Sequence, residues 1–159
     1  MTGKTHIIGG IASSLAFAQL TNYDPLILLG AGAVGAIIPD ICHGGSKIGR
    51  TFPLASKIVN LFFGHRTFTH SLLFLLLAAL LFQAFLPNEA LAAGLLVGMG
   101  SHLLLDMATR NGIKLFFPFK ITVRFPVTTK TGGPAENVIF ALLSLLSVYF
   151  GYSAFDFVY

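Results

Sequence analysis

Gly64-His65-Arg66-Thr67-Phe68-Thr69-His70-Ser71 runs directly into Leu72 to Leu86, a stretch made almost wholly of Leu, Phe and Ala. That composition is the signature of a helix in hydrocarbon. The motif therefore places two imidazoles, a guanidinium and two threonine hydroxyls at the mouth of a membrane span. Ionisable groups are costly there unless they are paired, metal-bound or open to water, so such a cluster is a functional-site hypothesis. Its plain alternative is a pair of interfacial histidines beside a helix start, with Thr67 or Thr69 as the N-cap.

The composition agrees with a membrane setting. Charged residues make up 10% of the chain and hydrophobic ones 55%, whereas a soluble domain carries about 25% charged residues. An ordinary soluble fold is excluded, and residues 1–159 are expected to form a single integral membrane domain. The net charge of +4 could suggest nucleic acid. However, the basic residues lie between apolar runs and not along one exposed helix, so we expect membrane lipids and no nucleic acid as partners. The single cysteine, Cys42, permits no intrachain disulfide. Oligomeric state is not legible.

In chain order, the first 20 residues imitate a signal peptide, with Lys4, an apolar run and a small-residue stretch. We read Ile7 to Leu20 as a retained first helix. Asn22-Tyr23-Asp24-Pro25 is a turn, with Pro25 suited to the first helical position. Leu26 to Ile38 is a Gly- and Ala-rich second span that ends at Pro39-Asp40-Ile41-Cys42-His43. Leu54, Ile58, Leu61 and Phe62 then recur at helical spacing, as in a short helix lying in the interface. Leu72 to Leu86 is the third span, Ala90 to Met107 the fourth and Asn137 to Phe155 the fifth. Between the last two, Thr109 to Ala135 predicts an irregular or hairpin cap, because Ile121 to Phe125 alternates as a short strand does. The expected fold is all-α, a polytopic membrane helical bundle of about five transmembrane helices.

In that five-span arrangement all ten Lys and Arg fall on one side. The positive-inside rule makes that side cytoplasmic, with the N-terminus inside and the C-terminus outside, in the cell (inner) membrane. The same count gathers all five histidines at one depth. His6 opens the first helix, and Asp40 and His43 end the second. His65 and His70 precede the third, His102 and Asp106 close the fourth, and Glu136 opens the fifth. His102 and Asp106, four apart, share a helix face. Imidazoles and carboxylates converging from several helices are a donor set for zinc, manganese or iron. Taken singly, an interfacial His is more often a cap, and Asp106 with Arg110 could be a plain salt bridge. A proton or ion path is a further alternative. Cys42 reads as a small buried hydrophobe.

His6, Pro39-Asp40-Ile41-Cys42-His43, Gly64 to Ser71 and Ser101-His102-Leu103-Leu104-Leu105-Asp106 together resemble the YdjM family of predicted membrane-bound metal-dependent hydrolases, which includes LexA-regulated members. The resemblance runs from His6 to Glu136, and its H-R-x-x-T-H-S element is the specific part. It implies a divalent metal ion, zinc first, held by His6, Asp40, His65, His70, His102 and Asp106. Where the family commonly has Asp, this chain has Cys42, which implies either a thiolate in its place or one carboxylate fewer.

The expected function is metal-dependent hydrolysis of a membrane-associated ester, a lipid-like phosphoester before a peptide. Arg66 is the candidate anion clamp, since its planar fork grips two oxygens at once. Glu136 or His43 is the candidate base or orienter of a ligand. The apolar segments around 54–63 and 113–119 are expected to admit the substrate laterally. The alternative is a non-catalytic metal-binding membrane protein that regulates a partner. Transport is disfavoured because the middles of the spans carry no charge.

Overall fold

The computed structural model describes residues 1–64 and 66–155. Within them the chain is helical: α1 Gly3–Ala18, α2 Pro25–Gly35, α3 Lys47–Thr51, α4 Pro53–Phe63, α5 Leu72–Phe85, α6 Glu89–Met107 and α7 Pro134–Ala154. Two single 3-10 turns, Ile38–Cys42 and Phe68–His70, precede α3 and α5 respectively. Local chemistry sets the starts. Asp24 accepts from the Leu26 and Ile27 amides at 2.8 and 3.3 Å, with Pro25 at the first helical position of α2. Asn88 caps α6 through the Leu91 amide at 3.0 Å. The cap of α5 is Ser71, whose hydroxyl accepts from the Phe74 amide at 3.2 Å, and not Thr67 or Thr69. The 3-10 turn over Phe68–His70 delays the helix past both threonines.

At the centre of the bundle α1, α2 and α6 pack against one another. α7 packs on α1, and α5 on α6. Close approach rests on Gly32: a Cβ on either Gly10 or Gly98 would run into the Gly32 carbonyl oxygen. Small residues at the crossing let backbones meet where lipid supplies no hydrophobic drive between helices.

Outer surfaces are apolar. None of α7 is buried along its spanning window. On α4 the polar Ser56 is buried and Asn60 donates to the Cys42 carbonyl at 2.7 Å, while Leu54, Ile58, Leu61 and Phe62 face outward. That is the inverse of a water-soluble helix, and it fits hydrocarbon or the interface as the surrounding medium.

Among the described residues three stretches are long and apolar enough to cross a membrane: Pro25–Cys42, Glu89–Met107 and Pro134–Ala154. The other two expected spans are shorter, at 16 residues for α1 and 14 for α5. At 1.5 Å per residue, α5 covers only about 21 Å of a core about 30 Å thick. The expected strand over 121–125 is reduced to an isolated antiparallel bridge between Ile113 and Val123. Their amides and carbonyls pair at 3.0 and 2.9 Å, and buried Ile113 seats the loop against Leu103 and Met107 of α6. This loop also reaches the opening motif. Lys114 donates its amide to the Arg66 carbonyl at 3.2 Å, and the Leu72 amide donates to Leu115 at 2.9 Å.

Candidate metal centre

The ends of α2 and α6, the start of α1 and the turn before α5 meet in one buried cluster. Asp106 lies at its middle. Its Oδ1 contacts the Met1 amino group and is 3.2 Å from His6 Nε2. Its Oδ2 is 3.2 Å from Arg66 Nε, 3.5 Å from His70 Nε2 and 3.8 Å from His102 Nε2. His70 Nε2 and His102 Nε2 are 3.1 Å apart, and both lie within 3.8 Å of Asp40 Oδ1. The His6 ring stacks on His102 with centroids 3.6 Å apart.

The outer nitrogens explain why the inner ones converge. His102 Nδ1 is 2.6 Å from the Ala36 carbonyl, an acceptor only, so Nδ1 carries the proton and Nε2 presents its lone pair inward. That carbonyl is available because of the turn at Pro39. In a continuing α-helix the Asp40 amide would take it, but here Asp40 donates to Ile37 at 3.2 Å instead. On His70, Nδ1 meets the Thr69 hydroxyl at 3.1 Å, and the Cys42 sulfur lies 4.0 Å away. Burial opposes protonation of His70, but its hydrogen bonds to Asp106 and Cys42 prevail and raise its pKa to about 8.

Among the described residues two donor groups could each hold a metal ion, His70–His102–Asp106 and His6–Asp40–His102, with ligand atoms within 4.8 Å of one another in each. Asp106 Oδ2 and Arg66 Nε, 3.2 Å apart, form an ion pair without hydrogen-bond geometry, so the carboxylate oxygen keeps a lone pair to offer, and His6 Nδ1 is buried without a hydrogen-bond partner among the described residues. A carboxylate oxygen gathered with imidazole nitrogens within 4.8 Å suits a cation. His102 belongs to both groups yet has one free nitrogen, so the two overlap on a single position.

Compared with known proteins, the chain matches the family described as YdjM inner membrane protein over residues 1–158. The chain belongs to the YdjM family. It is 54% identical to the Bacillus subtilis (strain 168) protein YvsG over 155 residues, covering 98% of this chain and 97% of that one. It is 33% identical to inner membrane protein YdjM of Escherichia coli (strain K12) over 167 residues, covering 96% of this chain and 84% of the relative. The Shigella flexneri protein of the same name matches to the same extent. No solved structure matches. Family and apolar helices together make this a membrane protein.

Within this YdjM-family chain the residues singled out from sequence fall into three sets. His6, Asp40, His70, His102 and Asp106 are brought together. Arg66 touches the set from outside: 16% exposed, it lies against Asp106, with Nη1 3.4 Å from the Thr109 hydroxyl. Its φ of 57° is a left-handed conformation unusual for a residue with a Cβ. Glu136 and His43 stand apart. Glu136 accepts four hydrogen bonds, each of 2.6 Å: Oε1 from the Thr2 amide and the Thr2 and Thr5 hydroxyls, Oε2 from the Gly132 amide. It clasps the start of α1 to α7. His43 follows Asp40 by three residues, a spacing that shares a side in a 3-10 turn. At the turn's end its backbone is extended, φ −114° and ψ 106°, and His43 is exposed. His65 lies outside the described residues.

Above the cluster opens a cleft of about 400 Å³, lined by Asp40, His43 and Arg66 together with Lys4 and Lys47. The two lysines read as surface anchors from sequence. Only the fold sets them across the cleft from Asp40. Cys42 lies on the Nδ1 side of His70, away from the converging nitrogens, and belongs to neither donor group among the described residues. The Ala36 carbonyl leaves no trace in sequence, since any residue offers one. The Thr2 and Thr5 hydroxyls beside His6 are a signal that could have been weighed.

Proposed function

We propose that the protein is a membrane-embedded, metal-dependent hydrolase of a membrane-associated ester, with a lipid phosphoester as its substrate class. The observation that carries this reading is the His70–His102–Asp106 group, oriented by the Ala36 carbonyl and touching a cleft through Asp40, which is 18% exposed. Two imidazoles and a carboxylate, with a position left open, are a hydrolytic zinc donor set, and manganese and iron accept the same donors. An ion there supplies a water of lowered pKa and a Lewis acid for the phosphoryl oxygen.

The chain's own groups divide the remaining work. Lys4, Lys47 and Arg66 give the cleft three cations, which attract and hold an anionic phosphoester. Arg66 fixes two of its oxygens through the guanidinium fork. His43, at the cleft wall, takes or returns a proton at its imidazole. Glu136 orients, holding the Thr2–Thr5 turn and with it His6. We place the cleft on the cytoplasmic side, with the basic connections.

The non-catalytic reading draws on one observation: His70, His102 and Asp106 are fully buried, as in a closed structural metal site. Elemental analysis of washed, detergent-purified protein, followed by a screen of lipid phosphoesters, separates the two. We expect one ion per chain, depleted in His70→Ala and His102→Ala, with turnover abolished by chelation and restored by metal. Full occupancy in both variants overturns the ligand set. Bound metal without turnover of any lipid ester selects the structural role.

A further inference from the structure

A second cavity lies behind the cluster. It is an apolar groove of about 280 Å³ between α5 and α6, walled by Phe74, Leu77, Ala78 and Leu81, with fully buried Met99 at its floor. Its remaining lining includes Ile38 and Phe68. Each of these is two residues from a site residue, Asp40 and His70 respectively. Ile37, the neighbour of Ile38, lines the cationic cleft. Cleft and groove thus lie back to back across one peptide unit, one lined with cations and the other wholly with apolar side chains.

We propose that this groove holds an acyl chain of the lipid phosphoester whose headgroup enters the cleft. The proposal rests on the hydrolase reading of that cleft. Three observations choose this occupant. Of its own lining Leu77 and Leu81 are exposed, so the groove opens onto the medium in which acyl chains are dissolved. A partner helix about 10 Å wide fills roughly 400 Å³ per turn, more than the groove contains, whereas a single polymethylene chain is narrow enough to enter it. The polarity is also directional. The end at Ile38 and Phe68 sits beside the metal-binding donors, and Leu81 lies about 10 Å further along α5 than Phe74. A lipid lying this way presents its ester end to Asp40 and Arg66 and its methyl end to Leu81. Entry is then between α5 and α6 and not, as the sequence suggested, over 54–63 and 113–119.

Photo-crosslinking in lipid nanodiscs tests this without needing metal or turnover. Two anionic phospholipids are used, one with a diazirine near the acyl carbonyl and one with it near the terminal methyl. Labelled residues are mapped by mass spectrometry. The carbonyl-end probe is expected on Ile38 and Phe68 and the methyl-end probe on Ala78 and Phe82, since Leu77 and Leu81 also face bulk lipid. An excess of unlabelled lipid should suppress both sets while leaving bulk labelling at Leu80 unchanged. Ala78→Phe, and the gentler Ala78→Leu, should lose the groove labels and keep those at Leu80. Labels spread evenly around α5, a reversed order of depth, or groove labels that survive both substitutions overturn the proposal. Groove labelling without any lipid turnover leaves it standing while the hydrolase reading fails. Turnover of a lipid phosphoester with an unlabelled groove does the opposite.

Discussion

Glu136→Gln is the substitution whose cost can be worked out from the structure. The carboxylate is buried and accepts from the Thr2 amide, the Thr2 hydroxyl, the Thr5 hydroxyl and the Gly132 amide, each at 2.6 Å. Glutamine keeps the shape and leaves an amide oxygen for the three donors at Oε1. Those bonds lose their charge assistance, falling from about 1.5–3 to about 0.5–1.5 kcal/mol each, or roughly 3 kcal/mol together. The new NH2 also faces the Gly132 N–H, setting donor against donor, and because Gly132 is exposed and water can take its N–H this adds at most about 1 kcal/mol. Bonds sharing one acceptor are not additive, so the expected loss is about 3 kcal/mol. Reversible unfolding in mixed micelles, titrated with a denaturing detergent and followed by circular dichroism, measures it. Thr2→Ala, which removes one donor, should cost about 1 kcal/mol on the same scale. A Glu136→Gln loss below about 0.5 kcal/mol, the level of an ordinary surface change, would refute the clasp. Metal content at saturating metal should stay at the wild-type level, because no donor atom comes from Glu136, while affinity weakens as His6 is held less firmly. A loss of metal content at saturation would return Glu136 to the site.

Arg66→Lys should keep the metal and lower turnover about 10²–10³-fold, since lysine retains the charge but not the fork. Equal turnover removes Arg66 from the chemistry. Metal uptake should strengthen with pH. His70 holds a proton up to about pH 8, so between about 6.5 and 8 an ion must displace it, at about tenfold in affinity per pH unit; competitive titrations giving a flat profile would contradict this. The stability linkage runs the other way. The raised pKa stabilises the metal-free protein fully below 6.5, and that contribution is lost as pH rises through about 8, so its denaturation midpoint should fall over that window. Pro39→Ala should let the Asp40 amide claim the Ala36 carbonyl and release His102 Nδ1, weakening metal affinity about 10–100-fold in equilibrium dialysis. A reporter after Tyr159 should report the non-cytoplasmic side and one within 109–135 the cytoplasm; both on one side would undo the topology.

How much of this was legible depends on the range of the forces involved. Charge bias and apolar runs are properties of whole segments, and they were enough to bring His6, Asp40, His70, His102 and Asp106 to one end of a bundle. His102 and Asp106 were readable because i,i+4 spacing is local geometry. Glu136 stayed open between base and orienter for the converse reason. Its donors Thr2 and Thr5 are more than 130 residues away, so nothing near it in sequence distinguishes a clasp from a base. His43 shows how one backbone torsion decides a role, because leaving the 3-10 turn moves it from the donor cluster to the cleft wall. The alternation over 121–125 was real, yet a strand needs a partner along its length, and among the described residues that stretch forms a single bridge, Val123 with Ile113.

The site forms where helices stop, and the stopping is part of how it works. A helix leaves its last carbonyls without intrahelical partners, and in hydrocarbon each must find a donor. Here α2 gives up its regular pattern at Pro39, which has no N–H, and the Ala36 carbonyl is met by an imidazole of α6. One hydrogen bond thereby satisfies the end of α2, joins it to α6 and selects the tautomer that turns His102 Nε2 toward Asp106. The turn before α5 is organised in a similar way. The left-handed Arg66 reverses the chain, its carbonyl is taken by Lys114, and the 3-10 turn that follows delivers His70 to the same point with Nδ1 held by Thr69. Donors fixed by backbone termination are placed before any ion arrives, and their cost as buried polar groups is offset in part by carbonyls that needed them. This accounts for a donor cluster in a chain so poor in charge: the polar groups stand where the backbone, not the side chains, had already broken the apolar pattern.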